Sequence, residues 1–222
     1  MKNKISVIGL GYVGLPLAVA LSKKFLTLGF DKNKKRIKQL KQGFDENGES
    51  KSKDLKNKKL IFISEKKKLI DVNIFIVCVP TPIKNKNPDL KYLIEATKVV
   101  AEVLKFGDIV IYESTVYPGT TEEICCPILE KVSSLKFNKD FFVGYSPERI
   151  NPGIGSKKIN DIKKIISASS PNTLKKIKKI YKPIISAGIY EAKSIKIAES
   201  AKIIENTQRD LNIALMNEFS QI

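Results

Sequence analysis

Ile5-Ser-Val-Ile-Gly9-Leu-Gly11-Tyr-Val-Gly14, followed by Leu26-Thr-Leu-Gly-Phe-Asp31, is the stretch that decides the fold. Ile5 to Ile8 reads as a buried strand, Tyr12 to Lys24 as a helix, and Leu26 to Phe30 as a second strand ending at Asp31. A bare Gly-x-Gly-x-x-Gly is a weak signal. Here it follows a strand directly, opens a helix, and has an acidic residue twenty positions after Gly11, which is the full dinucleotide context. Gly9 permits the tight turn, Gly11 lets the backbone approach a pyrophosphate, and Gly14 permits close helix–strand packing. The helix N-terminus favours the phosphate charge. Asp31 is expected to accept hydrogen bonds from an adenosine ribose and to repel a 2′-phosphate, which favours NAD over NADP. The competing reading is a glycine-rich turn that holds no ligand.

Outward from this unit, short apolar runs alternate with amphipathic stretches, as in a parallel sheet with crossover helices. Lys34 to Gln42 reads as a helix closed by Gly43, and residues 44 to 58 as polar and irregular. Leu60 to Ile63 and Ile74 to Val79 are strands, the second apolar throughout and so central. Pro80, Pro82 and Pro88 enforce a loop, and Asp89 caps a helix to about Leu104. Asp108 to Tyr112 is a strand, Thr120 to Lys131 a helix, and Phe141 to Tyr145 a strand. Ile165 and Ile166 lie in a short strand. Ser170 and Pro171 start a helix to Tyr181, and Ile184 and Ile185 suggest a last short strand. From Lys193 the pattern is helical, with Ile197, Ala201, Ile204, Leu211, Ala214 and Leu215 on one face. No glycine or proline stops it before Ile222, so a further element is expected after it. The fold class is α/β: a Rossmann-type, doubly wound, mostly parallel sheet followed by a long C-terminal helix.

The 222 residues carry a formal charge of +17, with 40 basic residues and no histidine. Only Arg36, Arg149 and Arg209 are arginine, whereas base and phosphate recognition favours the arginine fork. The lysines are spread along the whole chain, so the charge reads as solvated faces and not as a nucleic-acid site. Without histidine, acid/base chemistry must use carboxylates, lysine or a thiol. No metal site is expected. No apolar run approaches the ~20 residues of a membrane span, and the start lacks the features of a signal peptide. Cys78, Cys125 and Cys126 show no disulfide or zinc spacing, which suits free thiols in a reducing, cytoplasmic setting.

Three loops follow successive strands, where ligands bind in open α/β sheets. They are Val79-Pro-Thr-Pro82, Ser114-Thr-Val-Tyr-Pro-Gly119 and Ser146-Pro-Glu-Arg-Ile-Asn-Pro-Gly153. Each alone could be a proline-stiffened turn. Together, on the edge that carries the glycine loop, they favour function.

With GLGYVGLPLA from Gly9, CVPTP from Cys78, ESTVYPGTT from Glu113, SPERINPG from Ser146 and AESAKIIENTQRDLNIALMNE from Ala198, the chain resembles the UDP-glucose/GDP-mannose dehydrogenase family. The last two motifs are most similar to the branch acting on UDP-N-acetylglucosamine or related 2-acetamido sugars. The glucose branch has a second glutamate where this chain has Pro152, and that residue is not carried over.

The resemblance implies NAD-dependent oxidation of a UDP-sugar C6 hydroxyl to the uronate, in polysaccharide precursor synthesis. It involves two hydride transfers and a cysteine that captures the intermediate aldehyde. Carried over by motif, Gly9, Gly11, Tyr12, Val13, Gly14, Asp31, Arg36, Thr81 and Thr115 would bind NAD. Asp31 and Arg36 would hold the adenosine ribose. Thr115 would lie near the nicotinamide and a water, Glu148 would be the acid/base group, and Lys202, assisted by Asn206, would stabilise oxyanion charge. Arg149, Asn151 and Arg209 would be further substrate contacts beside Glu148, Lys202 and Asn206. Glu148 could instead be a structural partner of Arg149, and a lysine alone means little in so lysine-rich a chain. Cys78 reads as core; Cys125 and Cys126, beside Pro127, read as structural.

The resemblance further implies that residues 1–190 are the NAD-binding domain. Residues 191–222 would be the start of a central helix that pairs in a homodimer. The glycine-rich cysteine loop and the UDP-binding domain would lie outside this chain, in a missing C-terminal half. The alternative is an NAD-binding module without turnover.

Overall fold

The computed structural model describes residues 3–149 and 159–222. In chain order the strands are β1 (Lys4–Ile8), β2 (Leu26–Phe30), β3 (Leu60–Ile63), β4 (Ile74–Val77), β5 (Ile83–Lys84), β6 (Asn87–Pro88), β7 (Ile109–Tyr112), β8 (Phe142–Tyr145), β9 (Lys164–Ala168) and β10 (Ile189–Glu191). The helices are α1 (Gly14–Ser22), α2 (Lys34–Lys41), α3 (Ser52–Leu55), α4 (Lys91–Ala101), α5 (Cys126–Ser133), α6 (Pro171–Tyr181) and α7 (Ile195–Phe219).

One sheet runs in the order β3-β2-β1-β4-β7-β8, all parallel. β9 adds to β8 antiparallel, and β10 pairs parallel to β9. Side-chain alternation divides the core. Ile5, Val7, Ile74 and Ile76 meet α1, α2 and α6 on one face. Phe75, Val77, Val110 and Tyr112 meet α4, α5 and α7 on the other. Every residue of β4 is buried, as its unbroken apolar run requires of a strand covered on both faces. This is the doubly wound Rossmann arrangement. Strand order reverses between β1 and β4, whose ends pair as Ile8 with Val77. A crevice opens there, at the strands' carboxyl ends.

Four expectations need correction. Ile184 and Ile185 are buried in the turn after α6, and the last strand is Ile189–Glu191. The stretch after Gly119 opens as a π-helical turn, Thr120–Cys125, before α5. Pro127 explains this, since its ring would meet the carbonyl four residues earlier in a regular helix. Residues 83–88 form a hairpin, with Asn85 and Lys86 both at positive φ in its turn. The irregular region contains the short helix α3. Asp89 does serve the start of α4, accepting the Lys91 N–H at 2.9 Å, although Leu90 is the N-cap.

The helix from Lys193 begins at Ile195, with Ser194 capping the Ile197 N–H. Its buried residues are Ile195, Ala198, Glu199 and Lys202, while Ile204, Leu211 and Leu215 of the expected apolar face are exposed.

Candidate active site

The site begins as backbone. Gly9, at the end of β1, has a φ of +91°. A methyl group on Gly14 would sit 1.9 Å from the Gly9 carbonyl oxygen, so only glycine lets α1 start this close to the strand. One on Gly11 would meet nothing within 4 Å, so that side of the loop is open space. Val13 caps α1 with no side-chain hydrogen bond, which leaves the helix N-terminus open to an anion. Asp31, at the end of β2, accepts the Leu10 N–H at 2.9 Å and the Asn33 N–H at 2.8 Å. It lines a cavity of about 510 Å³ together with Gly9, Leu10, Gly11, Phe30 and Tyr92. Across this cavity the Lys32 ammonium lies 2.7 Å from the Glu95 carboxylate.

A second cavity of about 490 Å³ shares Gly11, Cys78, Val79 and Pro80 with the first and extends to the other two loops. Tyr12, Val13, Thr81, Thr115, Glu148 and Lys202 line it. Hydroxyl groups tie its loops together. Thr81 Oγ1 donates to the Thr115 carbonyl at 2.5 Å, Ser114 Oγ to the Val79 carbonyl at 2.6 Å, and Tyr145 Oη to the Ser114 carbonyl at 3.1 Å. Glu148 is 7% exposed and accepts the Arg149 N–H at 2.6 Å. Lys202 is 9% exposed, and burial lowers its ammonium from the usual lysine value, against the pull of Glu205 and Glu148.

The structure thus gathers Gly11, Tyr12, Val13, Thr81, Thr115, Glu148 and Lys202 onto one wall system, with Gly9 and Asp31 on the adjoining one. Arg36 is not among the residues lining either cavity. Its Nε donates to the Leu10 carbonyl at 3.1 Å and its Nη2 pairs with Asp45 at 2.7 Å, so it fastens the glycine loop from behind. Arg149 reaches Glu205 at 2.8 Å and the Lys163 carbonyl at 3.2 Å. Asn206 lies one turn beyond Lys202 on α7, partly buried, and does not line the cavity. Arg209 is exposed, 4.0 Å from Glu205. Asn151 lies outside the described residues.

Several charged groups here escaped the sequence reading. Glu113, 1% exposed, pairs with Lys164 of β9 at 2.6 Å and accepts a hydrogen bond from the Tyr181 hydroxyl of α6. Burial opposes the Lys164 charge, but Glu113 and Glu148 more than offset it and hold the ammonium above the usual lysine value. Glu199 of α7 is fully buried and accepts the N–H groups of Gly119 at 2.6 Å and Thr121 at 2.9 Å. Glu205 holds Arg149 to α7 and lies 4.0 Å from Arg209 on the same helix. Lys164 opens β9, after Lys163 and just before Ile165 and Ile166; that place at the start of an apolar run was the one available signal for it, and lysine abundance hid it. All three cysteines are buried. Burial pushes the Cys125 thiol up to about 12, and the Cys78 and Cys126 thiols up as well. Among the described residues no acidic or cysteine cluster could hold a metal ion.

Residues 3–185 match the NAD binding domain of the UDP-glucose/GDP-mannose dehydrogenase family. The chain belongs to that family. Members of this dehydrogenase family similar to the chain include UDP-N-acetyl-D-glucosamine 6-dehydrogenases of Salmonella typhi and Pseudomonas aeruginosa. They are 56% and 55% identical over 99% of this chain and 52% of their own length. A solved UDP-D-ManNAc dehydrogenase from Pyrococcus horikoshii superposes with a TM-score of 0.90 at 36% identity, covering 97% of this chain and 53% of that one. The chain spans about half the length of the relatives it matches. The family's cofactor is NAD, and this site fits it. The open space at Gly11, the bare N-terminus of α1 and the Asp31 carboxylate are what a pyrophosphate and an adenosine ribose require. No helix among the described residues is long and apolar enough to cross a membrane.

Proposed function

We propose that this chain provides the NAD-binding and C6-oxidising half of an enzyme that converts a UDP-sugar to its uronate. The substrate class is UDP-N-acetylglucosamine or a related 2-acetamido sugar. The observation that carries the reading is the pair of joined cavities, with Asp31 at one end and Thr115, Glu148 and Lys202 at the other. The first takes the adenosine half of NAD and the second the nicotinamide half beside the sugar's C6. Bound NAD supplies the hydride acceptor. Overall, the CH₂OH group, two NAD⁺ and one water give a carboxylate, two NADH and three protons.

Each polar residue then has a task. Lys202 stabilises the oxygen of C6 as negative charge develops on it, and its partly desolvated ammonium is strengthened for this in a drier site. Asn206 assists from the next turn. Glu148 transfers the proton of the hydrolytic water, which Thr115 holds. Asp31 selects the ribose of NAD, and Arg36 supports that end through the loop it fastens. Arg149, Asn151 and Arg209 surround the sugar nucleotide. A thiolate is the nucleophile in such chemistry, and the three buried, high-pKa thiols are poorly suited to it. We therefore assign the aldehyde-capturing thiol and the grip on UDP to a partner segment beyond these 222 residues. The exposed Ile204, Leu211 and Leu215 face of α7 is the proposed contact with a second copy, in a homodimer. The domain division is 1–190 for NAD and 191–222 for the connecting helix, and three free thiols favour a cytoplasmic setting.

The test is turnover. The chain expressed alone should bind NAD yet form no acid from UDP-N-acetylglucosamine, with all thiols inert to an aromatic disulfide reagent until denatured. An enzyme completed with a second half of the relatives' kind should release two NADH per sugar. Sustained acid formation by the chain alone would force one of its own cysteines into the nucleophile's place and overturn the assignment.

A further inference from the structure

Glu199 does work that no step above requires of it. Its carboxylate is fully buried, on α7, three residues before Lys202. A buried carboxylate is unfavourable unless its oxygens are satisfied. Here each oxygen takes one backbone N–H, Gly119 at 2.6 Å and Thr121 at 2.9 Å. The nearby Lys196 ammonium is bound instead to Glu123, at 2.6 Å. Those N–H groups open the helical stretch that runs through the π turn into α5, where the peptide dipoles favour a negative charge. Gly119 itself has a φ of +95°, a conformation that a side chain would resist.

The bond joins two pieces of the cavity wall. Gly119 ends the loop that begins at Glu113 and carries Thr115. The loop's other end is held by Ser114 on Val79 and by Thr81 on Thr115. Glu199 and Lys202 share the buried side of α7. Fixing Glu199 to Gly119 and Thr121 therefore fixes the spacing between Thr115 and Lys202, which both line the second cavity.

We propose that Glu199 is a positioning residue, whose carboxylate fastens the Thr115 loop to the helix bearing Lys202 and so shapes the cavity for the nicotinamide half of NAD. The proposal rests on the assignment of the second cavity to that half. The Asp31 end of the first cavity is built from β1, β2 and α4, and the bonds of Glu199 do not touch it.

Two ligands separate the possibilities: NAD, and ADP-ribose, which lacks the nicotinamide ring. Their affinities are measured by calorimetry on the wild-type chain, E199Q and E199A. Gln keeps the side chain's volume but replaces one acceptor with a donor, which opposes an N–H. Wild type should prefer NAD. E199Q should lose about tenfold in NAD affinity, the scale of one charge-assisted hydrogen bond, with ADP-ribose affinity changed by less than about twofold. E199A should show the same selectivity with a larger loss. If E199A fails to fold, E199Q decides. An unchanged ratio of NAD to ADP-ribose affinity in E199Q would overturn the proposal, and so would an equal loss of both ligands, which marks a purely structural residue. Equal binding of NAD and ADP-ribose by wild type would instead remove the assignment of the second cavity, and this proposal with it.

Discussion

The two ends of the site are built on different plans. At the end proposed for adenosine, the loop over Gly9, Gly11 and Gly14 and the carboxylate of Asp31 come from one β-α-β unit, and the loop is shaped by its backbone. At the other end, Thr115, Glu148 and Lys202 come from three loops and helices far apart in sequence. They are held by buried charges from β9 and α7 and by a tyrosine hydroxyl from α6. A backbone site tolerates almost any side chain outside its few fixed positions. A side-chain site depends on every support that orients it. The first should fail by steric obstruction, and the second by loss of a charge partner.

The largest expected effect is at the second end. Lys164→Met strands the Glu113 carboxylate in the core, with the Tyr181 hydroxyl as its remaining side-chain partner among the described residues. Breaking one side of a buried pair costs about 3–5 kcal/mol, to be read from urea unfolding. The Lys164 ammonium is held above the usual lysine value of 10.5. A raised folded pKa gives stabilisation that is complete below the unfolded value and fades as pH rises through the folded one. The gap between wild type and variant should therefore narrow in strong alkali, and narrow in acid too, where the stranded Glu113, already held above the usual carboxylate value by burial, takes up a proton. A gap under 1 kcal/mol would mean that the pair contributes little and that the contrast between the two ends is overdrawn.

Gly14→Ala attacks the first end. The new methyl group would lie 1.9 Å from the Gly9 carbonyl oxygen, and neither backbone segment can yield without moving the start of α1. Overpacking of this kind costs about 1–3 kcal/mol. The larger consequence is for the ligand, since the displaced N-terminus no longer points at the pyrophosphate. NAD and ADP-ribose binding should be lost together in calorimetry, unlike the selective loss expected for E199Q. Retention of either ligand would show that the loop has room the geometry denies.

This contrast also explains what could be read from the sequence. Strand positions, the glycine turn and Asp31 at a strand end were legible because each leaves a local trace: an apolar run, a fixed spacing, a charge at a strand end. The hydroxyl bridges from Thr81 and Ser114, the Glu113–Lys164–Tyr181 cluster and the Glu199 anchor join residues 34 to 80 positions apart. Nothing in their local patterns reports the partner. Glu199 sat in the AESAK motif, noticed only for its lysine. The π turn before α5 was hidden for the opposite reason: its signal, Pro127, is local, but it acts on backbone four residues upstream. The Arg36–Asp45 pair left no trace because Asp45 lies in a polar stretch with no periodic pattern.

The smallest effect should be the most selective. Asp31 faces the adenosine cavity while both its oxygens already accept backbone N–H groups, from Leu10 and Asn33. It is therefore fixed in place as a negative charge where a 2′-phosphate would lie. Lys32 beside it would attract that phosphate, but its ammonium is engaged by Glu95 at 2.7 Å. On the proposed reading, discrimination against NADP would rest mainly on Asp31. Asp31→Ala removes both the repulsion and the ribose acceptor, so NAD should weaken and NADP should strengthen. Each change should be about tenfold or less, since tenfold is only 1.4 kcal/mol and the site is partly open to screening salt. Calorimetry with both nucleotides reads the ratio. The loop anchors of Leu10 and Asn33 are lost too, so a general loosening would weaken both nucleotides alike. Only opposite movements of the two affinities would show that Asp31 selects by charge and does not merely hold the loop.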